Sequence, residues 1–421
     1  MAAMSAACRA LLIAATLAGP AQAVTHSVSD VAGLRAAVAV ANPGDEIVLA
    51  PGTYLLTAGL NLERSGTPAA PIVLRAATPQ QAVLRSDTLV MIRARASDWR
   101  IEGLLIEGVC AIDDNCEHAL QILSGAQRLI VRNNHFREFN APIKGNGEPL
   151  GVGGSYVFAD DVLVERSRFY ATRPRLTANP VTFIDVVGGK RWVIRGNLIY
   201  DFMKAGGDGI SYAAFLKGNG SDGVFERNLV ICQRRFGGGE RVGLSFGGGG
   251  TGAQFCEGGS CVTEHRNGVM RNNLIVNCND VGIYLNRAQN TLIEHNTLYN
   301  TAGIDVRFST SSATVRNNVL SGRLRNRDGG SHSAIGNLTE LPLATLQSWF
   351  ADPAAGDFAL RDGAMLVDQG AAGGSTVDDY CGDARGGGAP DRGALEYDRT
   401  GKCDTVLDRE VRIFRNGFEA S

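Results

Sequence analysis

Two short runs in the second half of the chain, Gly282-Ile-Tyr-Leu-Asn286 and Gly303-Ile-Asp-Val-Arg307, alternate apolar and polar residues as half-buried strands do. With Ile283, Leu285, Ile304 and Val306 turned inward, Tyr284, Asn286, Asp305 and Arg307 stand together on the outside. The same parity in Arg241-Val-Gly-Leu-Ser245-Phe puts Arg241 and Ser245 beside them. An aromatic platform flanked by guanidinium forks suits a carboxylated or sulfated ligand, because the planar fork matches planar oxyanions. His265-Arg266 would supply a wall of the same groove. Alternation alone also fits an ordinary polar outer face, so both readings stand at this point.

Other chemistries find no support. No Gly-x-Ser-x-Gly elbow occurs, and Gly237-Gly-Gly and Gly247-Gly-Gly-Gly lack the Lys-Ser/Thr of a phosphate loop. Asp160-Asp161 is a tight acidic pair without the partner motifs of a hydrolase and reads as a strand turn. With 41 Lys+Arg against 43 Asp+Glu the net charge is −2 and no basic block is present, which argues against a nucleic-acid partner. The basic residues are uneven in kind: five lysines (Lys144, Lys190, Lys204, Lys217, Lys402) against 36 arginines.

The first 23 residues have Arg9, an apolar run and then Ala21-Gln22-Ala23, the pattern of a cleaved secretory signal. No later stretch reaches the roughly 18 apolar residues of a membrane span, so a secreted protein without membrane insertion is expected, extracellular or periplasmic. Eight of nine cysteines remain after the signal, an even number that favours disulfides in an oxidising compartment. Proximity suggests Cys110 with Cys116, Cys256 with Cys261, Cys381 with Cys403, and Cys232 with Cys278. Eight cysteines allow 105 pairings, so the connectivity stays open. No CxxC or HxxxH spacing supports a metal site instead.

The elements that must position these residues come from a repeat. The pattern apolar-x-x-Asn-x-apolar occurs at Val131-Arg-Asn-Asn134-His-Phe136, Ile194-Arg-Gly-Asn197-Leu-Ile199, Phe225-Glu-Arg-Asn228-Leu-Val230, Met270-Arg-Asn-Asn273-Leu-Ile275, Ile293-Glu-His-Asn296-Thr-Leu298 and Val315-Arg-Asn-Asn318-Val-Leu320. Val164-Glu-Arg-Ser167-Arg-Phe169 fits with Ser in the Asn place, and the spacings are 33, 30, 31, 45, 23 and 22. A unit of about 22 residues with loops inserted explains them. A strand-like run precedes each pattern, so each unit holds three short strands. Three parallel strands per turn predict an all-β, single-stranded right-handed parallel β-helix. Asn at the bend would tolerate the left-handed conformation and bond the neighbouring coil. A leucine-rich repeat shares the Asn spacing, but its helical return is replaced here by alternating residues.

The ends differ from the middle. Ser29-Asp30 can cap a helix carrying Val31, Leu34, Val38 and Ala41 at helical spacing, which would plug one end, and residues 341–350 would plug the other. The expected organisation is a signal over 1–23, the β-helix over 24–340, a loop-rich cap over 341–400 and a tail over 401–421.

The opening Leu34-Arg-Ala-Ala-Val-Ala-Val-Ala-Asn-Pro43-Gly-Asp45, followed by Pro51-Gly-Thr-Tyr54 and Ser65-Gly-Thr-Pro68-Ala-Ala-Pro71, resembles the start of secreted β-helix proteins of the pectate-lyase-like superfamily. The likeness includes the chondroitinase B and alginate lyase family, polysaccharide lyase family six. The stretch Val367-Asp-Gln-Gly370 to Asp391-Arg-Gly-Ala394-Leu-Glu396 resembles the close of many such repeat proteins, and Ile413-Phe-Arg-Asn-Gly417-Phe-Glu419 a terminus of secreted Gram-negative proteins.

That resemblance implies β-elimination on an acidic polysaccharide, with a lysine base, an assisting arginine and acidic residues holding calcium. Carried over, Lys217, closing Gly207-Asp208-Gly-Ile210-Ser-Tyr-Ala-Ala-Phe-Leu-Lys217, is the base, Arg241 (or Arg307) the carboxylate partner and Asp208 a calcium ligand. The family's Arg-His-Gly is replaced by Arg241-Val-Gly, with the arginine at the start of its strand. This reading requires Lys217, Arg241, Tyr284 and Arg307 to share one concave face. The alternative is a non-catalytic, carbohydrate-binding or surface-interaction solenoid; either way a monomer with a polysaccharide partner is expected.

Overall fold

The computed structural model describes residues 22–149, 151–152, 154–361, 365–385 and 388–397. The expected signal lies almost wholly outside this range, as do the 401–421 tail and Cys403. The described chain winds into three long parallel sheets, of 12, 10 and 10 strands, in a right-handed parallel β-helix. In chain order each coil contributes a strand to sheet I, one to sheet II across the Asn corner, and one to sheet III, as in Ile130–Arg132, His135–Arg137 and Ile143–Gly145.

The recurrent asparagines form one continuous column. The Oδ1 of Asn197 accepts from the backbone N–H of Ser167 (2.9 Å), that of Asn228 from Asn197 (3.1 Å), Asn273 from Asn228 (3.0 Å), Asn296 from Asn273 (3.0 Å) and Asn318 from Asn296 (2.8 Å). Asn337, outside the sequence pattern, extends it by accepting from Asn318 (2.9 Å). The left-handed conformation, however, belongs to the preceding residue: Asn133, Arg166, Gly196, Arg227, Asn272, His295, Asn317 and Gly336 have φ between 48° and 66°. The turn and the inter-coil bond are thus divided between two adjacent positions. The column asparagine is selected for its amide, whose donor and acceptor satisfy backbone groups that the corner removes from the sheets.

Inside, apolar side chains stack coil on coil, with Phe136 and Phe169 parallel at 4.9 Å between centroids. The helix Val31–Val40, capped where the Asp30 carboxylate accepts from Gly33 N–H (2.7 Å), buries Leu34, Ala37 and Val38 against the first coils. The second helix, Leu343–Trp349, does something other than plug the far end. Sheet II carries an outward row Leu198, Leu229, Leu274, Thr297, Val319, and Leu346, Trp349, Phe350 and Phe358 fold back to cover it. An apolar column on a solvent face needs such a cover. Disulfides join Cys110 to Cys116, Cys232 to Cys278 and Cys256 to Cys261.

Candidate active site

Sheet III carries an outward row set by strand register: Asn61, Arg93, Gln121, Lys144, Asp185, Phe215, Ser245, Tyr284, Asp305 and Arg325. Its middle part is the floor of a cleft of about 810 Å³. Gln121, Lys144, Thr182, Asp185, Tyr212 and Phe215 form the floor, and Lys217 closes the last strand. One wall comes from segments preceding the strands, with Pro180, Lys204 and Asp208. The other comes from loops that follow them, with Asn146, Tyr156, Phe255 and residues 248–252.

The chemistry centres on lysine. Lys144 Nζ lies 2.8 Å from the Asp185 carboxylate, which is almost wholly buried. Lys217 Nζ donates to the Gly249 carbonyl (3.0 Å) and sits 4.5 Å above the Phe215 ring. Burial holds the Lys217 ammonium below its ordinary pKa; Asp185 pulls the other way, and the Lys144 ammonium adds to the depression. Lys204, itself buried, pairs with Asp208 of the same wall, and that contact holds the Asp208 carboxyl below its usual range. Burial raises the Tyr212 phenol, so it stays protonated, and its ring meets Phe215 edge-on at 5.4 Å. Three of the chain's five lysines therefore line one cleft.

Of the residues singled out in the sequence, Lys217 and Asp208 line the cleft and the others do not. Arg241 is fully buried, its guanidinium donating to the carbonyls of Gly238 (3.1 Å) and Cys232. Burial lowers its pKa to about 10. The reason is a one-residue slip in the strands Val181–Val187, Ile210–Lys217 and Glu240–Phe246. Phe183 and Ile184 both face the core, as do Ala213 and Ala214, so the alternation reverses ahead of that point. The reversal sends Arg241 inward and leaves Val242 beside Tyr212 and Tyr284.

His265 is no wall either. It is buried inside the coil, stacked on Phe246 at 4.1 Å, with its pKa driven down to about 3 by burial. Tyr284, Asn286, Asp305 and Arg307 do meet one another, but on later coils. Arg307 donates to the Tyr284 hydroxyl (3.1 Å) and pairs with Asp328, while the buried Asp305 is held by Arg325 (2.6 Å) and Arg327 (2.7 Å). The single concave face of Lys217, Arg241, Tyr284 and Arg307 is therefore not the arrangement present. Asp208 does not suit calcium, since its carboxylate is committed to Lys204 and no three Asp, Glu, His or Cys converge among the described residues. Asp160 and Asp161 both pair with Arg191 at a surface turn.

Lys144 and Asp185 were not singled out by sequence reasoning. Lys144 lies in a run of only three strand residues, and Asp185 falls just past the slip. The scarcity of lysine was the available signal.

The sequence matches a family model described as "Periplasmic copper-binding protein (NosD)" over residues 252–336, the stretch containing the shortest repeat spacings. Its three cysteines are Cys256, Cys261 and Cys278, all in disulfides, so they are not free to hold copper. No curated protein matches the sequence. Among solved structures, pectate lyase Pel9A is similar at 17% identity and TM-score 0.58, over 86% of this chain and 90% of that one. A rhamnogalacturonan lyase aligns at 13% identity and TM-score 0.49 (88% and 91% covered). An alginate lyase from Paenibacillus sp. str. FPU-7 aligns at 18% and 0.43 (74% and 99%). The chain thus has the right-handed parallel β-helix fold of pectate lyase Pel9A. The three disulfides among the described residues fit an extracellular or periplasmic protein.

Proposed function

We propose that this is a secreted lyase acting on a uronate-containing polysaccharide in the sheet III cleft. The observation that carries the reading is the concentration of Lys144, Lys204 and Lys217 in one cleft of a chain that elsewhere uses arginine almost exclusively. Arginine would serve to hold a carboxylate, but it cannot give up its proton; a desolvated lysine can. β-Elimination needs both functions. Lys144 neutralises the sugar carboxylate, which acidifies the adjacent C5–H, and the free amine of Lys217 takes that proton. The electron pair forms the C4–C5 double bond, the C4–O bond breaks, and the leaving oxygen takes a proton from Tyr212. The products are an unsaturated uronate end and a new hydroxyl end, and solvent returns the two protonic groups to their starting states. Phe215 and Tyr212 offer apolar surface to sugar rings, and Gln121 and Asn146, bonded at 3.0 Å, offer polar edges.

The test is ultraviolet absorbance of the new double bond when the purified protein meets alginate, chondroitin sulfate or pectate. Absorbance with one of them is expected; binding without absorbance would make the protein a carbohydrate-binding solenoid, and neither would remove the polysaccharide reading.

A further inference from the structure

The cleft is open along the solenoid in one direction only. Toward the N-terminal coils the floor row continues from Gln121 to Arg93 and Asn61, both accessible to solvent. From the Gln121 strand to the Phe215 strand the floor crosses three strand spacings of about 4.8 Å, roughly 14 Å in all. Toward the C-terminal coils it stops. The next residue of the row, Ser245, is fully buried, and its hydroxyl donates to the Gly247 carbonyl (2.6 Å).

The segment responsible is the loop 248–252. A β-carbon placed on Gly248 would lie 3.5 Å from the Phe215 ring and 3.3 Å from the Lys217 stem, so the backbone lies directly on the last floor residues. On its far side, a β-carbon on Gly249 would be 3.7 Å from the Asn286 amide. The loop is anchored on both flanks. Gly247 packs onto the Asn286 backbone, and beyond the loop Cys256 is bonded to Cys261 while Glu257 pairs with Lys190 at 2.7 Å. Phe255 meets Tyr156 edge-on at 5.5 Å, tying the two wall loops together.

We infer that the cleft is a dead-ended groove that takes one terminus of a polysaccharide, so that the protein works from chain ends and releases short products. The inference rests on the lyase reading for its chemistry. Its geometry is independent of that reading: Lys217 is hydrogen-bonded to the blocking loop, so a sugar that reaches Lys217 sits against the closed end, and the rest of the polymer leaves over Gln121 and Arg93.

Two measurements on the full-length protein decide it. With the substrate identified by absorbance, viscosity and product length are followed together. Short products of one size from the first time point, with viscosity falling only in proportion to bonds cut, are expected; an early collapse of viscosity with mixed lengths overturns the inference and leaves the lyase reading intact. Separately, the number of protein molecules bound per chain is counted on alginate, chondroitin sulfate and pectate fractions of increasing length. A terminus-binding groove holds no more protein on long chains than on short ones, whether or not cleavage occurs. A count that grows with length overturns the inference, and absence of both binding and cleavage on all three polymers overturns the inference together with the uronate reading.

Discussion

Sheets I and III are wound from the same coils, yet their outer faces are organised on opposite principles. On sheet I one register column reads Arg75, Glu102, Arg132, Glu165, Arg195, Glu226, Arg271, Glu294, Arg316, strictly alternating in sign over nine coils. Glu165 meets Arg132 and Arg195, both at 2.6 Å, and Glu226 likewise lies between Arg195 and Arg271. Through its middle the column pairs its charges internally, and at Glu294 the Thr376 hydroxyl of the C-terminal segment donates to the carboxylate as well (2.6 Å). The corresponding column of sheet III never repeats, and where it departs furthest from repetition it places Lys144, Asp185 and Phe215 in a cleft. In a solenoid each coil meets only its neighbours, so repetition is what stacking by itself favours. A column that abandons it is answering to something outside the stack.

The contrast is broken or sharpened most strongly at Lys217. Lys217→Met and Lys217→Arg should each lower kcat by at least about 100-fold, the scale of a lost general base, while the melting temperature of Lys217→Met holds or rises. Burial keeps the ammonium below its ordinary pKa, so the amine becomes the working form at a lower pH than in an exposed lysine. The rate should therefore climb with pH through that lowered value, and the climb should be absent from the residual rate of Lys217→Arg. Comparable loss of rate on neutralising Arg195 of sheet I would erase the distinction between the faces.

Lys144 comes next, because it couples the two roles. Lys144→Met leaves the Asp185 carboxylate, 6% exposed, without its cation, and a loss of up to about 3 kcal/mol is expected by calorimetry. The double variant Lys144→Met with Asp185→Leu should regain most of that stability and none of the activity. Recovery of activity would assign Lys144 to the fold.

What the sequence made legible follows the same division. The Asn column was readable because a single residue type recurs at one place in every coil, and the three-strand winding follows from it. The charge column was present in the same pattern, at the residue after its first apolar position, where Arg132, Glu165, Arg195, Glu226, Arg271, Glu294 and Arg316 alternate. Lys217 and Asp208, carried over from the family resemblance, both line the cleft, Asp208 as the partner of Lys204. Arg241 did not, because period-two alternation holds only while a strand is regular, and the slip at Phe183 and Ile184 recurs at each of three coils. Residues gathered by repetition are visible in sequence; those gathered by irregularity are visible only in the fold.

Asn228→Ala tests the column that both faces share. It removes the acceptor of Asn197 N–H and a donor to the Ile194 carbonyl, both buried, and an unsatisfied buried group costs about 1–3 kcal/mol. Melting temperature should fall, with the affinity of the cleft for polysaccharide unchanged.

The smallest effect belongs to Arg195→Ala. The guanidinium is 38% exposed, so at neutral pH its removal should cost no more than about 1 kcal/mol, less in high salt. The acid limb is where it becomes measurable. Burial alone would push the Glu165 carboxyl up, but Arg195 and Arg132 outweigh it and hold the group below its ordinary 4.5. A carboxyl depressed in the folded state stabilises the fold above its unfolded pKa, and that contribution is lost as pH falls through the folded value. Without Arg195 only Arg132 opposes the burial, so the loss begins at higher pH. Melting temperatures measured downward from neutral pH should therefore separate from wild type as Glu165 titrates, and coincidence of the two curves throughout would mean that alternation on sheet I supplies register without stability.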